Sequence, residues 1–242
     1  MPGTHPTESG KPAPRLPVFQ DALPLELVQS AEVPVLEVRP ATTSKAPGKR
    51  TATLRNVHRV KVTLHGSKPP IWRRFEVPSD VTLRRLHEVI QLGFGWQDYH
   101  LFAFETPAGR YGVPDPDLDC RSAAHKKLSA VADWPGDRIR YEYDFGDGWE
   151  HDIVVEAVMP ADPGVEYPRC TAGRRACPPE DSGGLWGYYQ LLNTLASPRG
   201  PQHRTMLAWL GIESAAEFDP DYFSAAEVNA ELSRISKVLI KR

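Results

Sequence analysis

The residues best placed to do chemistry lie in two short stretches. Residues 141–152 read YEYDFGDGWEHD and carry Glu142, Asp144, Asp147, Glu150 and Asp152 around His151. Residues 177–184 read CPPEDSGG and add Cys177, Glu180 and Asp181. Carboxylate oxygens are the preferred ligands of magnesium and calcium, and a nearby imidazole can move a proton. Asp144, Asp147, His151, Glu180 and Asp181 are therefore the candidate ligands of a divalent cation, with His151 as the proton carrier of a cation-assisted hydrolysis. The same residue types also make plain turns, solvated faces and ion pairs, and the sequence leaves these readings open.

Register decides what the first stretch presents, because a one-residue slip turns every side chain to the opposite face. A loop of Asp147 and Gly148 alone sets Phe145 against Glu150 and Tyr143 against Asp152. A loop of Gly146, Asp147 and Gly148 instead sets Phe145 against Trp149, Tyr143 against His151, Tyr141 against Ile153 and Ile139 against Val155. The second register builds a continuous apolar face, gives Gly148 a left-handed position, and is the expected one. On its other face Asp144 opposes Glu150 and Glu142 opposes Asp152. Opposed like charges destabilise a strand pair, so they call for solvent, for a cation, or for arginines such as Arg73, Arg74, Arg138, Arg140, Arg174 and Arg175.

Other reactive residues give weaker signals. Cys170 and Cys177 are separated by six residues, wider than the pairs of a usual structural zinc site, and His151 would have to help complete a set. Cys120 has only His125 nearby as a base and no legible oxyanion site. His87 reads as a boundary residue of the core, and His100 as the start of a strand that can meet His65 or His151. The segment KPPIWRR offers Trp72 and Arg74 to a surface, but one short patch falls short of the basic stripe of a phosphate tracker. No glycine-rich phosphate loop, His-Glu-x-x-His, serine elbow or familiar calcium loop occurs.

The elements that must position these residues are strands first and helices last. NVHRVKVTLHG and IWRRFEV alternate apolar and polar residues, with Ile71, Phe75 and Val77 on one side of the second strand and Trp72, Arg74 and Glu76 on the other. A helix follows, capped by Thr82, striped by Leu83, Leu86 and Ile90, and ended by Gly93. YHLFAFET is a strand and GRYG a turn or short strand. Residues 113–127 read as a polar loop, 138–156 as a β-hairpin, and YPRCTAGRRACPPEDSGG as irregular. Three helices close the chain, at LWGYYQLLNTLAS, at PQHRTMLAWLG and from Ser224 onward, the last with Val228, Leu232, Ile235 and Leu239 on its face. The expected class is α+β: an antiparallel or mixed sheet with a helix packed on it and helices concentrated toward the C-terminus.

Composition bounds the rest. The 242 residues carry a formal net charge of −2, so no global field draws the chain to DNA or anionic lipid. No apolar run approaches the roughly 20 residues that span a bilayer, so no membrane partner is expected. Three cysteines and the lack of an apolar signal segment fit a cytoplasmic setting. Prolines recur from Pro2 to Pro47. Residues 1–52 therefore read as a disordered proline-rich tail, with AEVPVLEVRP as a candidate edge strand, and residues 53–242 as a single domain.

VTLHGSKPPIWRRFEVPSDVTLRRLHEVIQLGFGWQDYHLFAF, YEYDFGDGWEHDIVVE and YPRCTAGRRACPPEDSGGLWGYYQLL occur in that order. Together they resemble the plasmid pRiA4b ORF-3-like family over about residues 56 to 232. The resemblance implies a compact α+β domain with a tail outside it, and an association with plasmids and insertion elements; some members bear a resolvase-like label. It transfers motif positions rather than catalytic roles: Pro70, Trp72 and Arg73; Leu86 and His87; Gly95, Trp96 and His100; Asp144, Gly146, Asp147, Trp149 and His151; and Cys177 through Asp181 with Gly183 and Gly184. Many relatives carry a cysteine where this chain has Ser182, which removes a third thiol from a zinc reading. A recombinase also needs a nucleophile ringed by basic groups, and no such constellation is legible.

Two functions follow as expectations. One is a non-enzymatic binding or accessory domain that serves a protein or nucleic-acid partner. The other is a cation-dependent hydrolase or nuclease built on the acidic hairpin and the CPPED loop.

Overall fold

The computed structural model describes residues 56–115, 117 and 119–239, with side chains through residue 234. The expected tail and its candidate edge strand lie outside the described residues. In chain order the elements are β1 (Asn56–Leu64), β2 (Trp72–Pro78), α1 (Leu83–Phe94), β3 (Phe102–Thr106), β4 (Gly109–Gly112), β5 (Arg121–Ser122), β6 (Arg138–Tyr143), β7 (Trp149–Pro160), β8 (Arg169–Arg174), α2 (Gly184–Leu195), α3 (His203–Leu210) and α4 (Ala225–Leu239). The strands form one sheet in the order β5-β4-β3-β6-β7-β1-β2-β8. Neighbours are antiparallel except for the parallel β4–β5 pair. The α+β class with helices gathered toward the C-terminus is what the chain adopts.

Strand alternation builds the core. Val60, Val62, Leu64, Phe75, Val77, Phe102, Phe104, Tyr141, Tyr143, Trp149, Ile153 and Val155 are buried on one sheet face, each full burial contributing about 1.5–3 kcal/mol. Helix α1 covers them with Leu83, Leu86, Val89 and Ile90. Its start is the expected one, since the Thr82 side chain accepts from the Arg85 amide. Its end is not. Gly93 lies inside the helix, where a Cβ would come within 2.2 Å of the Phe75 ring, and Gly95 closes the helix in the left-handed conformation.

Two further expectations change. Residues 169–174, read as irregular, form the edge strand β8 beside β2. Its edge is covered by α4, whose Asn229 side chain accepts from the Cys170 amide and donates to the Cys170 carbonyl, as a neighbouring strand would. Tertiary pairing thus overrides the local glycine and proline content. The polar loop after β4 contributes the two-residue strand β5.

The hairpin slides by two residues from the expected register. Tyr143 pairs with Trp149, Tyr141 with His151 and Ile139 with Ile153, leaving Asp144 to Gly148 as the loop. An even slide preserves the faces, so the aromatic surface is as expected. The loop lengthens because Asp144 takes a left-handed conformation, φ 55°, and its Oδ1 accepts from the Gly146 amide at 3.0 Å. Phe145 thereby leaves the core and is 37% exposed. On the acidic face the like-charge opposition is Glu142 with Glu150, and Asp152 lies across from Arg140. Arg110 approaches Glu142, Arg140 pairs with Glu150, and His65 with Asp152.

Candidate functional site

The residues that could hold a cation meet where β3 begins, where β6 ends and where the CPPED loop approaches them. The β3–β6 pairing sets Phe102 opposite Tyr143, which brings His100 and Asp144 together just beyond the two strand ends. The Asp144 amide donates to the Leu101 carbonyl at 2.9 Å and fixes this junction. The CPPED loop is held against it from several sides. Trp96 Nε1 donates to the Pro178 carbonyl at 3.0 Å, and the Gln97 amide to Glu180 Oε2 at 2.9 Å. The Tyr143 hydroxyl donates to Glu180 Oε1, and the Gly183 amide to Asp147 Oδ2 at 3.1 Å.

Close approach at the hairpin tip requires glycine. A Cβ on Gly184, whose φ is 66°, would lie 2.3 Å from the Asp147 carbonyl oxygen. Helix α2 therefore starts directly against the tip, and the Asp147 carboxylate serves as a cap supplied by another part of the chain.

Within this frame His100, Asp144 and Asp181 each offer one ligand atom, and the three atoms lie within 4.8 Å of one another. His100 Nε2 is 3.0 Å from Asp181 Oδ1 and 3.6 Å from Asp144 Oδ2. Asp144 is buried, while His100 and Asp181 are half-exposed, so the cluster opens to solvent on one side. Asp181, like Asp144, takes a left-handed φ, here 58°. One imidazole nitrogen with two carboxylates suits a divalent ion that accepts mixed nitrogen and oxygen ligands, and the open side leaves room for water or a further ligand.

Of the five residues expected from the sequence, Asp144 and Asp181 join this cluster. Glu180 and Asp147 stand beside it in supporting positions. Burial pushes the Glu180 carboxyl up, against the hydrogen bonds from Tyr143 and Gln97. Burial likewise pushes the Asp147 carboxyl up, against the amides of Gly184 and Gly183. His151 is elsewhere. It is fully buried on the aromatic face, its Nδ1 2.9 Å from the Trp149 carbonyl oxygen and its ring edge-on to Phe94 and Trp96. Burial pushes its pKa down to about 3, so it stays neutral.

His100 is the member that spacing missed, because its partners come from strand pairing rather than from a local motif. The other residues singled out have structural surroundings. His87 is buried, stacked on Phe102, and bridges the Tyr141 hydroxyl and Asp98. Burial pushes its pKa down, against the attraction of Asp98. Arg73, also buried, donates to Cys177 Sγ and to the carbonyls of Gly93, Trp72 and Arg174. Trp72 lies on the open sheet face beneath Lys61 and Arg74, and Arg74 is tied to Glu156.

The fold and site define an α+β domain with one helix-covered sheet face and an acidic, histidine-bearing rim at the hairpin end. The chain belongs to the plasmid pRiA4b ORF-3-like protein family, whose model matches residues 56–227. It is 40% identical over 189 residues to "Uncharacterized protein y4hQ" of Sinorhizobium fredii (strain NBRC 101917 / NGR234), covering 76% of this chain and 91% of that one. It is also similar to the crystal structure of a protein of unknown function, MM3350 from Methanosarcina mazei Go1. There the TM-score is 0.64 and the identity 38%, over 72% of this chain and 98% of that one. Among the described residues no helix is long and apolar enough to cross a membrane.

Proposed function

We propose that residues 53–242 form a single binding or accessory domain, acting in the cytoplasm for a mobile element, and that its recognition end carries a divalent cation on His100, Asp144 and Asp181. The observation that carries this reading is the convergence of three ligand atoms within 4.8 Å from three separate loops. Glu180 and Asp147 hold the loops in place, and the cation joins the β3 start, the hairpin and the CPPED loop into one surface. Metal analysis of the purified protein, then calorimetric titration with magnesium, manganese, calcium and zinc, tests it. One ion should bind at about one equivalent, and His100→Ala or Asp144→Asn should abolish binding. No stoichiometric ion would end the cation reading.

The second reading is a cation-dependent hydrolase or nuclease on the same cluster. What favours it is the open side, where water bound to the ion would be acidified. His100, rather than the buried His151, would then help hold that ion, and the ion-bound water would supply the nucleophile. Metal-dependent phosphodiester cleavage that His100→Ala removes supports this reading, and inactivity of a metal-loaded protein counts against it.

A further inference from the structure

Exposed large apolar side chains are ordinary when scattered, but a contiguous set marks an interaction surface. Next to the histidine–aspartate cluster such a set occurs. Leu101 follows His100 and is 49% exposed; Phe145 follows Asp144; and Val113, just after β4, is 45% exposed. These three line one shallow depression of about 50 Å³ with Pro114, Cys120 and Arg110. Strand pairing makes them neighbours, since β3 lies between β4 and β6.

The side of the depression beyond β4 is acidic. Asp115 lines it and its Oδ1 accepts from the Asp117 amide at 2.9 Å, while Asp117 and Asp119 are themselves exposed. The cation lining it, Arg110, already has two carboxylates near it, Glu105 at 3.3 Å and Glu142 at 3.5 Å, and lies over the Phe145 ring. A phosphate backbone would meet repulsion here, which argues against nucleic acid at this surface. A basic polypeptide would be attracted, and its apolar side chain would meet an apolar surface.

We propose that this depression docks a short basic segment of a partner protein, with one apolar side chain laid against Leu101, Val113 and Phe145 and flanking lysines or arginines on Asp115, Asp117 and Asp119. The proposal rests on the binding-domain reading but not on the cation, because Asp115, Asp117 and Asp119 are not among its ligands.

The test uses the full chain and fluorescence anisotropy with three labelled synthetic peptides. One carries leucine and phenylalanine between lysines, one replaces the lysines by glutamates, and one replaces the apolar residues by serines. Each is measured with a chelator and with manganese present. Only the first should bind saturably, and rising salt should weaken it. Phe145→Ala should weaken it about tenfold, as loss of an anchor does. The exposed pair Asp117→Lys and Asp119→Lys should weaken it by a similar factor. Absence of saturable binding by the basic peptide, equal binding by the acidic one, or indifference to both sets of variants overturns the proposal. Titration with metal alone reads the cation site separately, so the two can fail independently.

Discussion

His151 and His100 lie near the same end of the sheet, one on each side of Tyr143, whose ring approaches His100 to 5.9 Å and stacks on the Trp96 that touches His151. His151 is packed among Phe94, Trp96 and Tyr141 on the helix-covered face. His100 faces two aspartates and solvent. The same imidazole is a neutral packing element in the first setting and a candidate ligand in the second. Burial without a charged partner holds a histidine neutral, whereas a half-buried ring beside carboxylates has ligand partners within reach.

The comparison can be broken or sharpened by substitutions on either side of that boundary. The largest effect belongs to the packed side. Trp149→Ala, which empties a fully buried position, should cost about 3–5 kcal/mol in denaturant unfolding. A loss below about 1 kcal/mol would mean that the aromatic face is not the core it is taken to be.

Next comes pH. His151 is held neutral with a pKa of about 3, against an ordinary value of 6.5. Below pH 6.5 the unfolded chain binds a proton that the native state refuses, so stability falls as pH is lowered from 6.5 toward about 3. One such proton sets a slope of about 1.4 kcal/mol per pH unit. His151→Phe should flatten this slope by about one proton's worth, measured by urea unfolding at several pH values. An unchanged slope would show that His151 titrates normally.

Between the two regions stands Asp147, whose carboxylate caps α2 from the hairpin tip. Asp147→Ala should cost about 1 kcal/mol and should also weaken cation binding, because the CPPED loop loses a tether. Thermal unfolding and calorimetry on one variant test both halves. The smallest effect on stability is expected at the rim. His100→Ala should change unfolding free energy by about 0.5 kcal/mol or less while removing the cation, the reverse of the pattern at His151.

Legibility followed the same division. The alternation of Ile139, Tyr141 and Tyr143, and of Trp149, His151 and Ile153, identified the buried face even though the register was two residues off. An even slide leaves the pleat unchanged. The slide itself was not legible, because it depends on Asp144 abandoning the ladder for a left-handed turn. Asp144 and Asp181 were recognisable as candidate ligands by residue type. His100 was not, since nothing near it in the chain announces that β3 pairs with β6. Strand β8 was hidden by its glycine and proline neighbours and appears only because the edge of β2 and the side chain of Asn229 satisfy its backbone.

The sequence by itself determined the class of fold, the faces of its strands, the Thr82 cap and the residue types from which a site can be built. These are short-range properties: periodicity, side-chain volume and capping hydrogen bonds act within a few residues. Tertiary structure alone decided which histidine stays neutral in the core and which meets the aspartates. It also decided that the Asp147 carboxylate accepts from the Gly183 amide, and where Leu101, Val113 and Phe145 stand uncovered together. Those outcomes depend on which distant segments share a neighbourhood, and therefore on how long-range burial, charge and backbone pairing are satisfied at once.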